Sequence, residues 1–143
     1  MHQKEIKLIE DSWDYILANT QEAGLVFYND LFEKNPELRA LFTTDLNDQA
    51  RKLVALITFS VNKLNEFDSL VSDIELLGLR HHAYGVKPEF YEMVRQSLMF
   101  MLEQGMGENW NTDLAETWGK LYKHLSEVMI NASYNHLAIK RTN

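Results

Sequence analysis

Residues 77–88 of the chain read LGLRHHAYGVKP, and the fold and the site are best worked out from this stretch. An apolar helical stripe runs into a histidine pair, and the helix is expected to end at Gly85. Pro88 then favours the start of another helix, because proline suits a first helical position. The stretch therefore predicts an imidazole close to a helix end.

The two neighbouring histidines fall on different helix faces. Steps of four and three residues back from His81 reach only apolar positions, namely Leu77, Ile74 and Leu70. The same steps from His82 reach a mixed set, namely Gly78, Glu75 and Val71. We therefore expect His81 to point inward and His82 outward. By itself an inward histidine is more often a hydrogen-bonded core residue than a metal ligand, so the pattern leaves both readings open. The other histidines, His2, His124 and His136, lie near the chain ends or off the apolar stripes.

Composition bounds the class of protein. The 143 residues suit a single domain spanning 1–143, with six glycines, two prolines and abundant helix formers. The net charge of −7 and the lack of a basic patch argue against nucleic-acid binding. The absence of cysteine excludes disulfides and thiol chemistry. The longest nearly apolar run, residues 53–61, is too short for a bilayer, which needs about 20 residues. We expect a cytoplasmic protein with no membrane segment.

The hydrophobic periodicity predicts an all-α fold of six long helices and one short one, because apolar residues recur at threes and fours and nothing alternates with period two. The long helices are predicted over residues 4–17, 21–34, 46–64, 69–84 and 88–104 and from about Thr112, and the short one over 36–42. Gly24 would let another backbone approach its helix closely.

Two polar residues interrupt the apolar faces. Tyr28 lies in the inner stripe of the second helix and Gln49 in that of the 46–64 helix. Burying either group without a partner costs about 1–3 kcal/mol. They either bond each other or a backbone carbonyl, or they donate hydrogen bonds to a polar ligand in a cavity.

The ordered set of these residues resembles a known family along nearly the whole chain. Tyr28, the segment Asn35-Pro36-Glu37-Leu38, Leu41-Phe42, Gln49, Leu53, His81 and the segment Gly85-Val86-Lys87-Pro88 resemble bacterial single-domain globins. These are haem-domain relatives of flavohaemoglobins in a group that also resembles neuroglobin. The interval from Gln49 to His81 matches the distal-to-proximal interval of that family.

The resemblance implies a globin fold around haem b (iron protoporphyrin IX). His81 would be the proximal iron ligand, Phe42 would pack on the haem, and Tyr28 and Gln49 would be the distal donors, beside Leu53. The other residues implied at the haem are Leu77, Val86 and Val94 on the proximal side, Tyr91 behind the histidine, and Lys52 at a propionate. An ordinary solvated lysine is an equally good reading of Lys52.

The resemblance also implies function, with two departures. A flavohaemoglobin-like chain would carry a glutamate at the position of Ser133, and this sequence leaves no room for flavin or nicotinamide domains. We therefore expect reversible binding of dioxygen, nitric oxide and carbon monoxide. Nitric oxide dioxygenation with an external reductase is one alternative. A haem-free globin-fold regulator is the other.

Overall fold

A computed structural model describes the backbone of residues 1–142 and the side chains of residues 1–133; His136 lies outside the described side chains. Over the described backbone the chain is all-α, as the periodicity predicted. Six helices follow one another: α1 (Gln3–Asn19), α2 (Ala23–Lys34), α3 (Leu46–Asn62), α4 (Phe67–Ala83), α5 (Phe90–Met106) and α6 (Thr112–Thr142). The short predicted helix is a 3₁₀ helix, Pro36–Leu41.

Local chemistry explains where these helices begin and end. α3 starts at Asp45, whose carboxylate accepts hydrogen bonds from the backbone amides of Asn47 (2.8 Å) and Asp48 (3.3 Å). Pro36 stands at the first position of the 3₁₀ helix, where its missing N–H costs nothing.

The observed helix bounds differ from the predicted ones by at most two residues. α5, for example, begins at Phe90, because Pro88 and Glu89 form a turn ahead of it, and it continues beyond its predicted end to Met106. It ends at Gly107, whose φ of +56° favours glycine. Two short 3₁₀ segments that periodicity did not reveal, Leu64–Glu66 and Gly107–Asn109, connect neighbouring helices.

Two close helix contacts depend on glycine. α2 meets α3 at Gly24, where a Cβ would clash with the backbone of Ala50, so the predicted close approach is confirmed. α4 packs along α6 at Gly78, where a Cβ would lie 2.5 Å from the carbonyl oxygen of Met129. The second contact fixes the helix that carries His81.

The core lies between α1, α5 and α6, and two buried tryptophan side chains pack against each other within it. Trp13 and Trp118 pack edge to face with ring centroids 6.1 Å apart. Trp118 Nε1 donates to Ser12 Oγ (2.9 Å), and Trp13 Nε1 donates to Thr58 Oγ1 (3.0 Å), so neither buried N–H lacks a partner. Leu17 is 41% exposed although its neighbour Ile16 is fully buried, so the two side chains fall on different faces of α1. Over the described residues, no helix has the length and apolar character required to cross a bilayer.

Candidate functional site

Backbone hydrogen bonds at the C-terminal end of α4 fix the position of His81. The amide of Val86 donates to the His81 carbonyl (3.0 Å), and the amide of Gly85 donates to the His82 carbonyl (3.0 Å). These are the two hydrogen bonds of a Schellman motif, and Gly85 has the positive φ, +89°, that the motif requires. The helix therefore ends at a defined residue, as predicted, and the position of His81 is set by backbone geometry.

The His81 ring is fixed by a second interaction. Its Nδ1 lies 2.9 Å from the carbonyl oxygen of Leu77, one turn back. Since a carbonyl only accepts, Nδ1 carries the proton and Nε2 keeps a lone pair. Burial lowers the pKa of His81, and the bond to Leu77 opposes this more weakly. The neutral imidazole with a free Nε2 is the form that binds a metal. His82, by contrast, is exposed, as the face analysis predicted.

His81 lines a cavity bounded mainly by α3, α4, α5 and α6. The cavity encloses about 930 Å³, counting the space at its mouth, and its walls are almost entirely apolar. Its two serines donate their hydroxyl protons to the protein backbone, since Ser60 Oγ donates to the Leu56 carbonyl (2.9 Å) and Ser126 Oγ to the Lys123 carbonyl (3.0 Å). The space suits an apolar molecule.

The donor set restricts the kind of metal centre. No group of three or more histidines, cysteines or acidic residues that could hold a metal ion occurs among the described residues. A single imidazole is a poor site for a bare ion, because structural and catalytic ions are held by several protein ligands. It suits a metal that arrives with its own equatorial donors, as iron does in a porphyrin.

Tyr28 stands in an aromatic cluster on α2. Its ring packs edge to face against Phe27 (centroids 4.9 Å apart) and Phe42 (5.2 Å), with Phe32 at 5.7 Å. Burial raises the pKa of Tyr28 to about 12. Its hydroxyl makes no hydrogen bond to any described residue, so it is a protonated donor available to a ligand.

Gln49 and Lys52 lie toward the outside of α3. The Gln49 side chain is partly exposed, and its amide donates to the Thr44 hydroxyl just before the helix. Lys52 is exposed. Gln49 must leave Thr44 and rotate before it can reach a ligand in the cavity.

Comparison with known proteins places this geometry in a family. A model of the globin family matches residues 25–129. The chain belongs to the globin family. The neuroglobin of Tetraodon nigroviridis is 30% identical over 136 residues, which cover 85% of this chain and 86% of that protein.

Solved structures give the same fold at lower identity. An engineered carbene transferase from Rhodothermus marinus superposes with a TM-score of 0.86 at 20% identity, covering 99% of each chain. A bacterial globin from Campylobacter jejuni gives 0.81 at 18% identity, covering 96% of this chain and 99% of its own. Globins are haem proteins, so the cavity and its single imidazole match what the family's cofactor requires.

The globin fold brings most of the predicted haem residues to one cavity. Six of them line it together: Leu53, Leu77, His81, Val86, Tyr91 and Val94. Four do not belong to its wall: Tyr28 and Phe42 lie in the aromatic cluster beside it, and Gln49 and Lys52 lie outside it on α3. The roles predicted for these four stay predictions.

Ser133, the position at which the resemblance implies a glutamate in flavohaemoglobins, lies against α4. Its hydroxyl is 3.2 Å from the Gly78 carbonyl and 3.1 Å from the Met129 carbonyl, to which it donates. Tyr91 lines the cavity, and its backbone carbonyl accepts from the Tyr122 hydroxyl (2.6 Å). The side-chain support of His81 by Tyr91 stays a prediction, since the hydrogen bond found at that ring goes to Leu77.

Several cavity residues were not anticipated as site residues. Examples are Phe27, Ile57, Val61, Trp118 and Met129. Hydrophobic periodicity shows that a residue such as Trp118 faces inward, but it does not separate a residue that packs on protein from one that faces a cavity. Only the convergence of four helices shows the difference.

Proposed function

We propose that this protein reversibly binds dioxygen, carbon monoxide and nitric oxide at a b-type haem held by His81. The observation that carries the proposal is the His81 ring, whose Nδ1 is engaged by Leu77 (2.9 Å) while its Nε2 stays available in a largely apolar cavity. Haem bound in the cavity would be held by His81 and would supply an iron that binds diatomic gases.

The residues present fit that cofactor. Leu53, Leu77, Val86 and Val94 supply apolar walls for a porphyrin ring. They also exclude water, which strengthens any hydrogen bond made inside the cavity. The side with α4 and His81 is called the proximal side below, and the side with α2, α3, Tyr28 and Gln49 the distal side.

The distal side supplies neutral donors for a polar gas ligand. Because burial raises the Tyr28 pKa to about 12, its phenol keeps its proton at neutral pH and donates rather than accepts. The Gln49 amide adds a second donor when its hydrogen bond to Thr44 is replaced by one to the ligand. A ligand with partial negative charge, such as dioxygen, gains most from these donors, and carbon monoxide gains least.

An absorption spectrum tests the proposal directly. The protein purified with haem should show a Soret band that shifts on reduction, and shift again with carbon monoxide. A chain that takes up no haem under these conditions contradicts the proposal and favours the haem-free regulator.

Nitric oxide dioxygenation with an external reductase is the second candidate. The phenol donor of Tyr28 favours it, and the Rhodothermus marinus neighbour is described as a candidate nitric oxide dioxygenase. The serine at position 133 argues against it, because a serine supplies no carboxylate to the proximal side and its hydroxyl donates to backbone carbonyls. A nitric oxide consumption assay with a generic reductase separates turnover from simple binding.

A further inference from the structure

The last two turns of α4 present an exposed face on the side away from the cavity. Leu76, Arg80 and Tyr84 follow one another at intervals of four residues and so share this face. Leu76 is 55% exposed and Tyr84 74% exposed, which makes them the most exposed large apolar residues described. We call this surface, together with the neighbouring His82 and Lys87, the α4 outer face.

The α4 outer face is basic in an acidic protein. The chain carries 21 acidic and 14 basic residues, yet residues 76–88 contain no acidic residue. Arg80, His82 and Lys87 are all exposed there. Glu75 and Glu89 flank the stretch, and Asp73, one turn before Leu76, is paired with Lys63 at 3.0 Å. Between these two glutamates the exposed ionised side chains are the cations Arg80 and Lys87, whose charge is opposite in sign to the net charge of −7.

The same turns of helix carry His81 on their inner side. Arg80 and His82 are its immediate chain neighbours, so only the thickness of one helix, about 10 Å, separates the outer face from the imidazole. An electron carrier seated on this face would stand closer to the haem site than one on α1, which the core separates from α4.

We propose that the α4 outer face is the docking site for an acidic one-electron carrier protein that reduces the haem. This rests on the proposed function, since the carrier has an electron acceptor here only if the protein holds haem. One electron leaves the reduced carrier, which is oxidised, and converts the ferric iron to the ferrous form that binds dioxygen. No proton or group is transferred.

The chemistry of the face favours a protein over a membrane. Arginine and tyrosine are enriched at the energetic centres of protein interfaces, and here they lie one turn apart. Anionic membranes recruit clusters of about four to eight lysines and arginines, whereas this face has only Arg80 and Lys87 with His82 beside them.

Ionic strength gives the docking a distinctive signature. Two acidic proteins repel at long range in low salt, and salt screens that repulsion. The contact between the basic face and an acidic carrier acts within a Debye length, about 8 Å at physiological ionic strength, and weakens only at higher salt. The reduction rate is therefore expected to pass through a maximum as salt is added.

The experiment measures reduction of the ferric, haem-loaded protein by stopped-flow absorbance under carbon monoxide. The probe is a plant-type [2Fe–2S] ferredoxin, kept reduced by its NADPH-dependent reductase. Arg80→Glu with Lys87→Glu should lower the second-order rate about tenfold or more at the optimal salt, since charge steering is worth about 10- to 1,000-fold. Tyr84→Ser should lower it severalfold. Lys4→Glu with Lys7→Glu, called the Lys4 variant, reverses two exposed charges on α1 and should match the unaltered protein.

A second readout does not depend on electron transfer. Oxidised ferredoxin is titrated into the carbon-monoxide form while backbone amide shifts are followed, and changes should concentrate in residues 76–88. Equal rates for the Arg80/Lys87 variant and the Lys4 variant, shifts centred elsewhere, or patch-dependent co-sedimentation with phosphatidylglycerol vesicles in place of ferredoxin binding would each overturn the docking proposal. Failure to load haem overturns the proposed function instead, so the two failures are distinguishable.

Discussion

The proximal and distal sides of the haem site are held by different kinds of interaction. His81 is placed by two backbone hydrogen bonds of the helix end, and its ring is turned by a third bond to the Leu77 carbonyl. Tyr28 is held by ring packing alone, and Gln49 is engaged by Thr44, away from the cavity. Main-chain hydrogen bonds thus fix the residues of the proximal side, whereas the conformations and contacts of side chains determine the distal side. Changes on the proximal side should affect whether the cofactor binds, and changes on the distal side should affect how long a ligand stays.

The largest effect is expected from His81→Ala. Removing the single imidazole of the cavity leaves no protein ligand for the iron, so stable haem binding should be lost. Haem titration followed by the Soret band measures this. His82→Ala is the matched control, because that side chain is exposed and should leave haem uptake unchanged. Equal haem content in the two variants would contradict the assignment of His81.

Gly78→Ala should unfold the proximal side more easily. The added Cβ would lie 2.5 Å from the Met129 carbonyl oxygen, so α4 and α6 must separate. We expect a loss of about 1–3 kcal/mol in the free energy of unfolding, measured by urea denaturation of the apoprotein.

Gly119→Ala provides the control for this prediction. Its Cβ would lie 3.6 Å from Met99 Cε, an ordinary contact, and alanine favours a helix interior by up to about 1 kcal/mol. The two substitutions should therefore change stability in opposite directions. If Gly78→Ala is as stable as the unaltered protein, the close approach of α4 and α6 is not as described.

Tyr28→Phe tests the distal side while leaving its packing nearly intact. The substitution removes a donor to bound dioxygen, and a hydrogen bond worth about 1.4 kcal/mol corresponds to a tenfold faster dissociation. Carbon monoxide dissociation should change less, since that ligand accepts hydrogen bonds poorly. Flash photolysis or stopped-flow displacement gives both rates. An unchanged dioxygen off-rate would refute the distal role of Tyr28.

The sequence predicted the direction of His81 better than the surroundings of Gln49, for a physical reason. A helix repeats its geometry, so the apolar stripe separated the inward His81 from the exposed His82. Main-chain hydrogen bonds then follow from the glycine at the helix end.

The distal side could not be read in this way. Periodicity placed Gln49 on the inner stripe of α3 but could not reveal that Thr44, five residues earlier, offers its amide a competing partner. Similarly, Leu17 is apolar but 41% exposed, whereas the adjacent Ile16 is fully buried on the other face of α1. Contacts with residues from other parts of the chain determine whether such side chains are buried and which partners they have, and hydrophobic periodicity does not identify those residues.

Thr44→Val tests whether Thr44 competes with the bound ligand for the Gln49 amide. Without the Thr44 hydroxyl, the Gln49 amide loses its present partner and should spend more time facing the ligand, which slows dioxygen dissociation by a small factor of about two to three. Gln49→Leu should speed dissociation by a similar factor and should abolish the effect of Thr44→Val in the double variant. Additive effects of the two substitutions would show that Thr44 does not act through Gln49.

The smallest expected effect concerns pH, and it separates a buried phenol from other distal donors. Burial raises the Tyr28 pKa from its ordinary 10.0 to about 12, so the ratio of dioxygen off-rates between Tyr28→Phe and the unaltered protein should stay constant from about pH 6 to pH 10.

The unfolded chain releases this proton near pH 10 and the folded chain only near pH 12. The stability linked to Tyr28 is therefore fully present below pH 10 and is lost as the pH rises through that window. Urea denaturation of the apoprotein should show the unaltered protein losing stability relative to Tyr28→Phe above pH 10. If the two proteins respond alike to pH in this range, the phenol is not buried as described.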